Sequence, residues 1–162
     1  MDNLSALLII DVQRGFINKH TKNIPSLAES IQEKYKFVYV AQLEYEEHSP
    51  FLDIRKSSGF SDVDNPTELA FIPTSKSKII KKHGYSAATP QLLFELEKNN
   101  IRQINLMGID TDQCVLATAL ALFDQNITPR VLSGYCASTG GASMHKSAIK
   151  IMKRALGSHN VV

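Results

Sequence analysis

Ala6-Leu7-Leu8-Ile9-Ile10-Asp11 is an unbroken apolar run that stops on a carboxylate. A short run without polar alternation fits a strand covered on both faces, as in a parallel sheet. Phe37-Val38-Tyr39-Val40-Ala41 repeats the pattern, and Gln103-Ile104-Asn105-Leu106-Met107, closed by Gly108, gives another strand. Lys78-Ile79-Ile80-Lys81 and Pro129-Arg130-Val131-Leu132 read as shorter ones. Helical spacing fills the intervals. Pro25 to Lys34 carries Leu27, Ile31 and Tyr35 on or near one face, with Pro25 and Ser26 as its start. Pro90 to Asn99, the Ala- and Leu-rich Asp112 to Phe123, and Ala142 to Leu156, stopped by Gly157, are the other helices. Strands that alternate with helices predict an α/β chain with a parallel sheet and helices packed on both faces.

The rest of the composition narrows the class. The 162 residues suit one domain over residues 1–162, with one core and no repeat or linker. Hydrophobic residues make up 43% and charged residues 21%, which excludes a disordered chain. The net charge of +2 and the lack of a basic run give no reason to expect nucleic acid or an anionic membrane as partner. No segment approaches the roughly 20 apolar residues of a membrane span, and the acidic N-terminus is unlike a secretory signal. With only Cys114 and Cys136, the expectation is a cytoplasmic protein with reduced thiols and no zinc-ligand pattern.

Ligands of such sheets bind at the carboxyl ends of the strands. Asp11 ends the first strand, Lys81-Lys82 the third, and Cys114 opens the helix after Gly108. An acid, an amine and a thiol are therefore expected at one sheet edge. With Thr111 or Asp112 as N-cap, Cys114 lies in the first helical turn, where the helix dipole favours thiolate. Free amides at the same turn suit an oxyanion. A buried structural cysteine is the competing reading. Asp11 could accept the thiol proton and pass it to a leaving amine, or simply cap a turn. An ammonium beside both would stabilise their anions, and charge pattern alone does not choose between Lys81 and Lys82.

These residues carry a resemblance. Leu7-Leu8-Ile9-Ile10-Asp11-Val12-Gln13-Arg14-Gly15-Phe16, Lys82-His83-Gly84-Tyr85-Ser86-Ala87 and Gly108-Ile109-Asp110-Thr111-Asp112-Gln113-Cys114-Val115, with Thr118-Ala119 following, resemble the three signature segments of isochorismatase-like cysteine hydrolases. That family includes nicotinamidases and carbamoylsarcosine-type amidohydrolases. The match spans residues 7 to 119 in family order, and the helix from Ala142 with His145 looks familial as well. The resemblance selects Lys82 and implies a triad of Asp11, Lys82 and Cys114. It also implies a cis Ile109–Asp110 bond, an oxyanion hole from the backbone amides of Asp110 and Cys114, a Rossmann-like three-layer sandwich, and a homo-oligomer, dimer or tetramer. The activity implied is hydrolysis of a small-molecule amide or related C–N bond through a thioester. Alternatives are vinyl ether hydrolysis of the isochorismatase type, which needs Asp11 and not the thiol, and a non-catalytic binding or assembly module.

The chain also departs from its relatives. Nicotinamidases carry Asp-x-His and a further His after the second strand to bind a metal; here the region reads Gln42-Leu43-Glu44-Tyr45-Glu46-Glu47-His48. Glu44, Glu47 and His48 suit a divalent ion in type, but the exposure habits of Glu favour a solvated acidic loop. No metal and no organic cofactor is expected. Near Gly134, where relatives place an Asp, this chain has Ser133-Gly134-Tyr135-Cys136, and Cys136 reads as a packed small hydrophobe. The pattern dissolves from Glu44 to Ser77, and within it the stretch from Glu44 to Thr74 is expected to shape the pocket. Phe16 and Tyr85, with Tyr45, Phe51 and Phe60, are candidate walls for a small-molecule substrate.

Overall fold

The computed structural model describes residues 6–162. Five strands form one sheet: β1 (Ala6–Ile10), β2 (Phe37–Leu43), β3 (Lys78–Lys82), β4 (Gln103–Ile109) and β5 (Thr128–Ala137). Their spatial order is β3-β2-β1-β4-β5, and every pairing is parallel. The helices are α1 (Ile24–Gln32), a single turn α2 (Pro50–Asp53), α3 (Pro90–Lys98), α4 (Leu116–Asp124) and α5 (Ala142–Leu156).

Each strand-forming run is apolar because both sheet faces are covered. From β1, Leu8 and Ile10 pack with Leu92 and Leu96 of α3, Ala119 and Leu122 of α4, and Met152 of α5. Leu7 and Ile9 point the other way, into a core with Ile24, Ala28 and Ile31 of α1. The result is a three-layer α/β sandwich.

Several details depart from the sequence expectation, among them β5, which continues past Leu132 to Ala137. Gly108 does not close β4 but lies within it, with φ near +132°. A side chain there would collide with the carbonyl of Ile10, so glycine lets β1 and β4 approach at this point. The helix expected from Asp112 opens with a separate π-helical turn, Thr111–Val115, before α4 begins. The Asp110 carbonyl accepts from the amides of both Gln113 (3.2 Å) and Val115 (3.1 Å), which widens the turn. The N-cap is Asp110, not Thr111 or Asp112, and its side chain makes no cap bond.

The stretch from Glu44 to Ser77 carries only the turn α2, capped by Ser49, whose Oγ accepts from the Phe51 amide. It is nonetheless tied down. Amides of Arg14 and Gly15 donate to the carbonyls of Glu68 and Pro66, and that of Ala70 donates to Val12. Buried Gln13 donates to the carbonyls of Leu43 (2.9 Å) and Thr67 (2.8 Å) and accepts from the Leu43 amide. One side chain thus joins the segment after β1, the end of β2 and the long loop.

Candidate active site

The direction of strand succession reverses between β1 and β4: β2 and β3 lie on one side of β1, β4 and β5 on the other. Crevices form at such reversals, outside the carboxyl ends of the strands. Asp11 follows β1 there, and its backbone has φ near +50°, a left-handed conformation that Asp tolerates better than most residues. Lys82 is the last residue of β3, and Cys114 lies on the π turn after β4. All three side chains are essentially buried.

Lys82 is the hub. Its Nζ donates to the carbonyls of Gly84 (2.8 Å) and Tyr85 (3.0 Å). It stands 2.7 Å from Asp11 Oδ2 and 3.4 Å from Cys114 Sγ. An ammonium has three N–H groups, and two are committed to carbonyls. The remaining charge is shared by the acid and the thiol. The Asp11–Lys82 contact is an ion pair without hydrogen-bond alignment, and neither Asp11 oxygen has a hydrogen-bond partner among the described residues. A buried carboxylate left with open lone pairs is poised to accept a proton.

Strand geometry explains why Lys82 and not Lys81 is in the cluster. Side chains alternate along β3, so Lys82 shares a face with buried Ile80 while Lys81 faces solvent. Lys81 Nζ donates to Gln42 Oε1 (2.8 Å) and pairs with Glu44. An ammonium already sits on the carboxylate that a metal at Glu44 would need. His48 lies beside Asp53 instead (3.7 Å), and Glu47 is exposed. The described residues show no cluster of three His, Cys, Asp or Glu with metal-binding geometry, so the donor set of a metal-dependent relative does not fit this chain.

Burial dominates the electrostatics. It pushes the Asp11 carboxyl above its ordinary value, against the opposing pull of Lys82. Burial alone would lower the Lys82 ammonium, but the charges of Asp11 and Cys114 outweigh it and hold the group protonated. Burial, then the negative charge of Asp11, pushes the Cys114 thiol well up. Burial and the Asp11 charge thus oppose the thiolate that the helix dipole favours, while Lys82 supports it.

The Ile109–Asp110 peptide bond is cis. Asp110 is anchored by Thr139, whose amide donates to Oδ1 (2.5 Å) and whose hydroxyl donates to Oδ2 (2.9 Å). His145 of α5 meets Thr111 Oγ1 through Nδ1 (2.8 Å), and burial lowers the imidazole below its ordinary value. Helix α5 thus fixes the turn that carries Cys114 through a neutral histidine.

Cys114 borders a narrow recess at the strand ends, with a cavity volume of about 30 Å³. Phe16, Phe51 and Tyr85 form apolar walls, and Asp110 and Thr139 lie at the cysteine side. The five aromatic residues singled out from the sequence form one chain of ring contacts. Phe16 meets Phe60 (4.5 Å between centroids), Phe60 meets Tyr45 (5.0 Å), Tyr45 meets Phe51 (5.5 Å), and Phe51 meets Tyr85 (4.8 Å). Arg55 and Gly59 also line the cleft, and sequence reading missed both because the loop that holds them has no periodicity. Thr139 was missed too; only its place just beyond β5 could have pointed to it. Cys136 lies on β5 opposite Gly108, with Sγ 4.0 Å from the Leu106 carbonyl. Both thiols are free.

Fold and cluster together define an α/β protein with a strand-end site built from an acid, an amine and a thiol. The chain belongs to the isochorismatase family: that family's domain model matches residues 5–159. It is a hydrolase of that family. Among solved structures, a nicotinamidase from Bacillus subtilis is 20% identical, with a TM-score of 0.79 over 98% of this chain and 99% of that one. A cysteine hydrolase from Pseudomonas syringae pv. phaseolicola is 17% identical, with a TM-score of 0.84 over 99% of this chain and 89% of its own. N-carbamoylsarcosine amidase from Thermoplasma acidophilum is 21% identical, with a TM-score of 0.78 over 94% and 92%. At these identities the likeness concerns the fold. No curated protein sequence matches the chain. No helix among the described residues is long and apolar enough to cross a membrane.

Proposed function

We propose that the chain hydrolyses a small-molecule amide or related C–N bond, with Cys114 as nucleophile, Asp11 as proton carrier and Lys82 as the cation that holds both. The observation that carries this reading is the buried contact set of Lys82 Nζ, 2.7 Å from Asp11 and 3.4 Å from Cys114, at the mouth of a cleft. The names of two structural neighbours, nicotinamidase and N-carbamoylsarcosine amidase, support the substrate class.

Asp11 removes the thiol proton as Sγ attacks the acyl carbon, forming a C–S bond and an oxyanion. The backbone amides of Asp110 and Cys114 stabilise that oxyanion. Asp11 then gives its proton to the leaving nitrogen as the C–N bond breaks, leaving a thioester. Water attacks the thioester, Asp11 takes a proton from it, and that proton returns to Sγ as the C–S bond breaks and the acid departs. Lys82 stays protonated throughout. Its positive charge offsets each anion in turn, which matters because Coulomb energies are large in a dry site.

The test is ammonia or amine release from a panel of small amides and N-carbamoyl compounds, with Cys114→Ala and Asp11→Asn beside the wild type. Turnover should fall by at least about 10³-fold in Cys114→Ala, the scale seen when a nucleophile is removed. Turnover that survives Cys114→Ala but is lost in Asp11→Asn would instead favour acid-assisted cleavage without the thiol.

A further inference from the structure

Two hollows share Phe51, Arg55 and Tyr85 as walls. The first is the recess of about 30 Å³ beside Cys114, which Phe16, Asp110 and Thr139 also line. The second is a surface groove of about 210 Å³, completed by Pro50, Ile54 and Gly84. Room for one water is about 10–15 Å³, so the recess admits a group of roughly two or three non-hydrogen atoms. The groove is several times larger, and Pro50, Phe51, Ile54 and Tyr85 make most of its wall apolar. Ile54 is 80% exposed and Tyr85 40% exposed there. An apolar occupant that covered them would remove that surface from water.

The chemistry of the site gives each hollow its half of a substrate. Asp110 and Cys114, whose amides are the oxyanion donors of the proposed mechanism, both line the recess. The acyl group therefore belongs there. The leaving nitrogen has to face the proton carrier Asp11, which stands 2.7 Å from Lys82 Nζ. That same Nζ donates to the carbonyls of Gly84 (2.8 Å) and Tyr85 (3.0 Å), and both residues are walls of the groove. A substituent on the leaving nitrogen thus has the groove beside it. Gly84 adds no bulk: a Cβ at this position would meet nothing within 4 Å.

We propose that the substrate joins a short acyl group, of formyl, acetyl or carbamoyl size, to a nitrogen that bears an apolar substituent, and that this substituent lies in the groove of Pro50, Ile54, Gly84 and Tyr85. This assignment rests on the thiol reading of the site and adds the two halves of its substrate to it. Sγ attacks the acyl carbon, the C–N bond breaks, and the amine leaves along the groove with the proton from Asp11. The acyl group stays in the recess on Sγ until water releases it as the small acid. An occupied groove also keeps water from the Lys82 cluster during the first step.

The test uses activated esters, which report acylation of Sγ directly. Acetate release is measured from phenyl acetate and trifluoroethyl acetate on the full chain, with the Cys114→Ala background subtracted. Ile54→Ser removes an exposed apolar wall of the groove. Gly84→Leu fills the groove at a position that lacks the positive φ of Gly59 and where a Cβ meets nothing. Neither site is packed, so neither variant burdens the fold. Intrinsic leaving-group reactivity is the same in every protein and cancels between them. The phenyl-to-trifluoroethyl rate ratio should fall by about fourfold in each variant, the weight of one buried methylene group. In the wild type, phenyl hexanoate should react at least about tenfold more slowly than phenyl acetate, because the recess does not admit its chain. An unchanged ratio in either variant, or hexanoate as fast as acetate, overturns the assignment while leaving the thiol reading intact. An unchanged ratio with a smaller particle in Ile54→Ser, by light scattering, gives the groove to a second copy of the chain and likewise overturns it. No acetate release above the Cys114→Ala background from either ester overturns the thiol reading, and the assignment falls with it.

Discussion

Cys114 and Cys136 are close to a controlled comparison. Both are buried free thiols in the same core, near the carboxyl ends of neighbouring strands. Burial pushes both thiols up, Cys136 to about 12. What separates them is company. Around Cys136 the influence besides burial is a backbone hydrogen bond from Gly108. Around Cys114 stand a carboxylate and an ammonium, and a narrow recess lies in front of it. Desolvation alone makes a thiol inert; desolvation beside an ion pair makes its ionisation depend on what the ion pair does. The acid is then part of the nucleophile, and removing either charged partner should affect the two cysteines very differently.

The largest effect is expected from Lys82→Met. It leaves the Asp11 carboxylate buried without its cation, which costs about 3–5 kcal/mol of stability. The pH dependence has a definite sign. Burial already raises Asp11 above its unfolded value, and losing Lys82 raises it further. A group with a raised folded pKa contributes stability below its unfolded pKa, and that contribution is lost as pH rises through the folded pKa. The variant should therefore be least destabilised in acid and progressively worse toward neutral pH. Urea midpoints across that range check this, and a pH-independent loss would mean that Asp11 is not the group left uncompensated. The matching Cys136→Ala change should show no such pH dependence.

A smaller and more telling effect is expected from Asp11→Asn. The negative charge of Asp11 raises the Cys114 thiol and Lys82 lowers it. With the acid neutralised, the lysine acts alone and the thiol should ionise more readily. Alkylation of Cys114 by iodoacetamide should then speed up at neutral pH by about tenfold, the equivalent of one pKa unit. Alkylation of Cys136 should stay slow. Amide turnover should be lost all the same, because the proton carrier is gone. Slower alkylation in Asp11→Asn would contradict this account of the charges.

Much of this arrangement is legible in the sequence, for a physical reason. Strands buried on both faces must be apolar throughout, so Ala6–Ile10 and Phe37–Ala41 announce themselves, and parallel order then puts Asp11 and Cys114 at one edge. Lys82 is harder to read. Ile79 and Ile80 are both apolar, so the phase of β3 is ambiguous, and the choice of Lys82 over Lys81 came from resemblance to relatives. The structure shows the phase: Ile80 and Lys82 point inward together. Arg55, Gly59 and Thr139 were not legible. Their positions depend on how an aperiodic loop and a strand end fold back on the site, which local pattern does not encode. The aromatic residues were legible as a set, but not as a continuous ring chain, because their contacts join distant segments.

Tyr45 is the intermediate case between the two cysteines. Burial dominates its titration, as for Cys136, yet it also feels Arg55, Cys114 and Asp11, as the cleft residues do. Its hydroxyl is buried and has no hydrogen-bond partner among the described residues. An unsatisfied buried polar group costs about 1–3 kcal/mol, whereas the ring itself is well packed between Phe51 and Phe60. Tyr45→Phe removes the hydroxyl and keeps the ring. It should stabilise the protein by about 1 kcal/mol, which raises Tm by about 2–4 °C for a chain of this size. Thermal melts of the two proteins check it. A lower Tm would show that the hydroxyl is satisfied by a buried water, and Tyr45 would then be a polar element behind the cleft wall rather than packing alone.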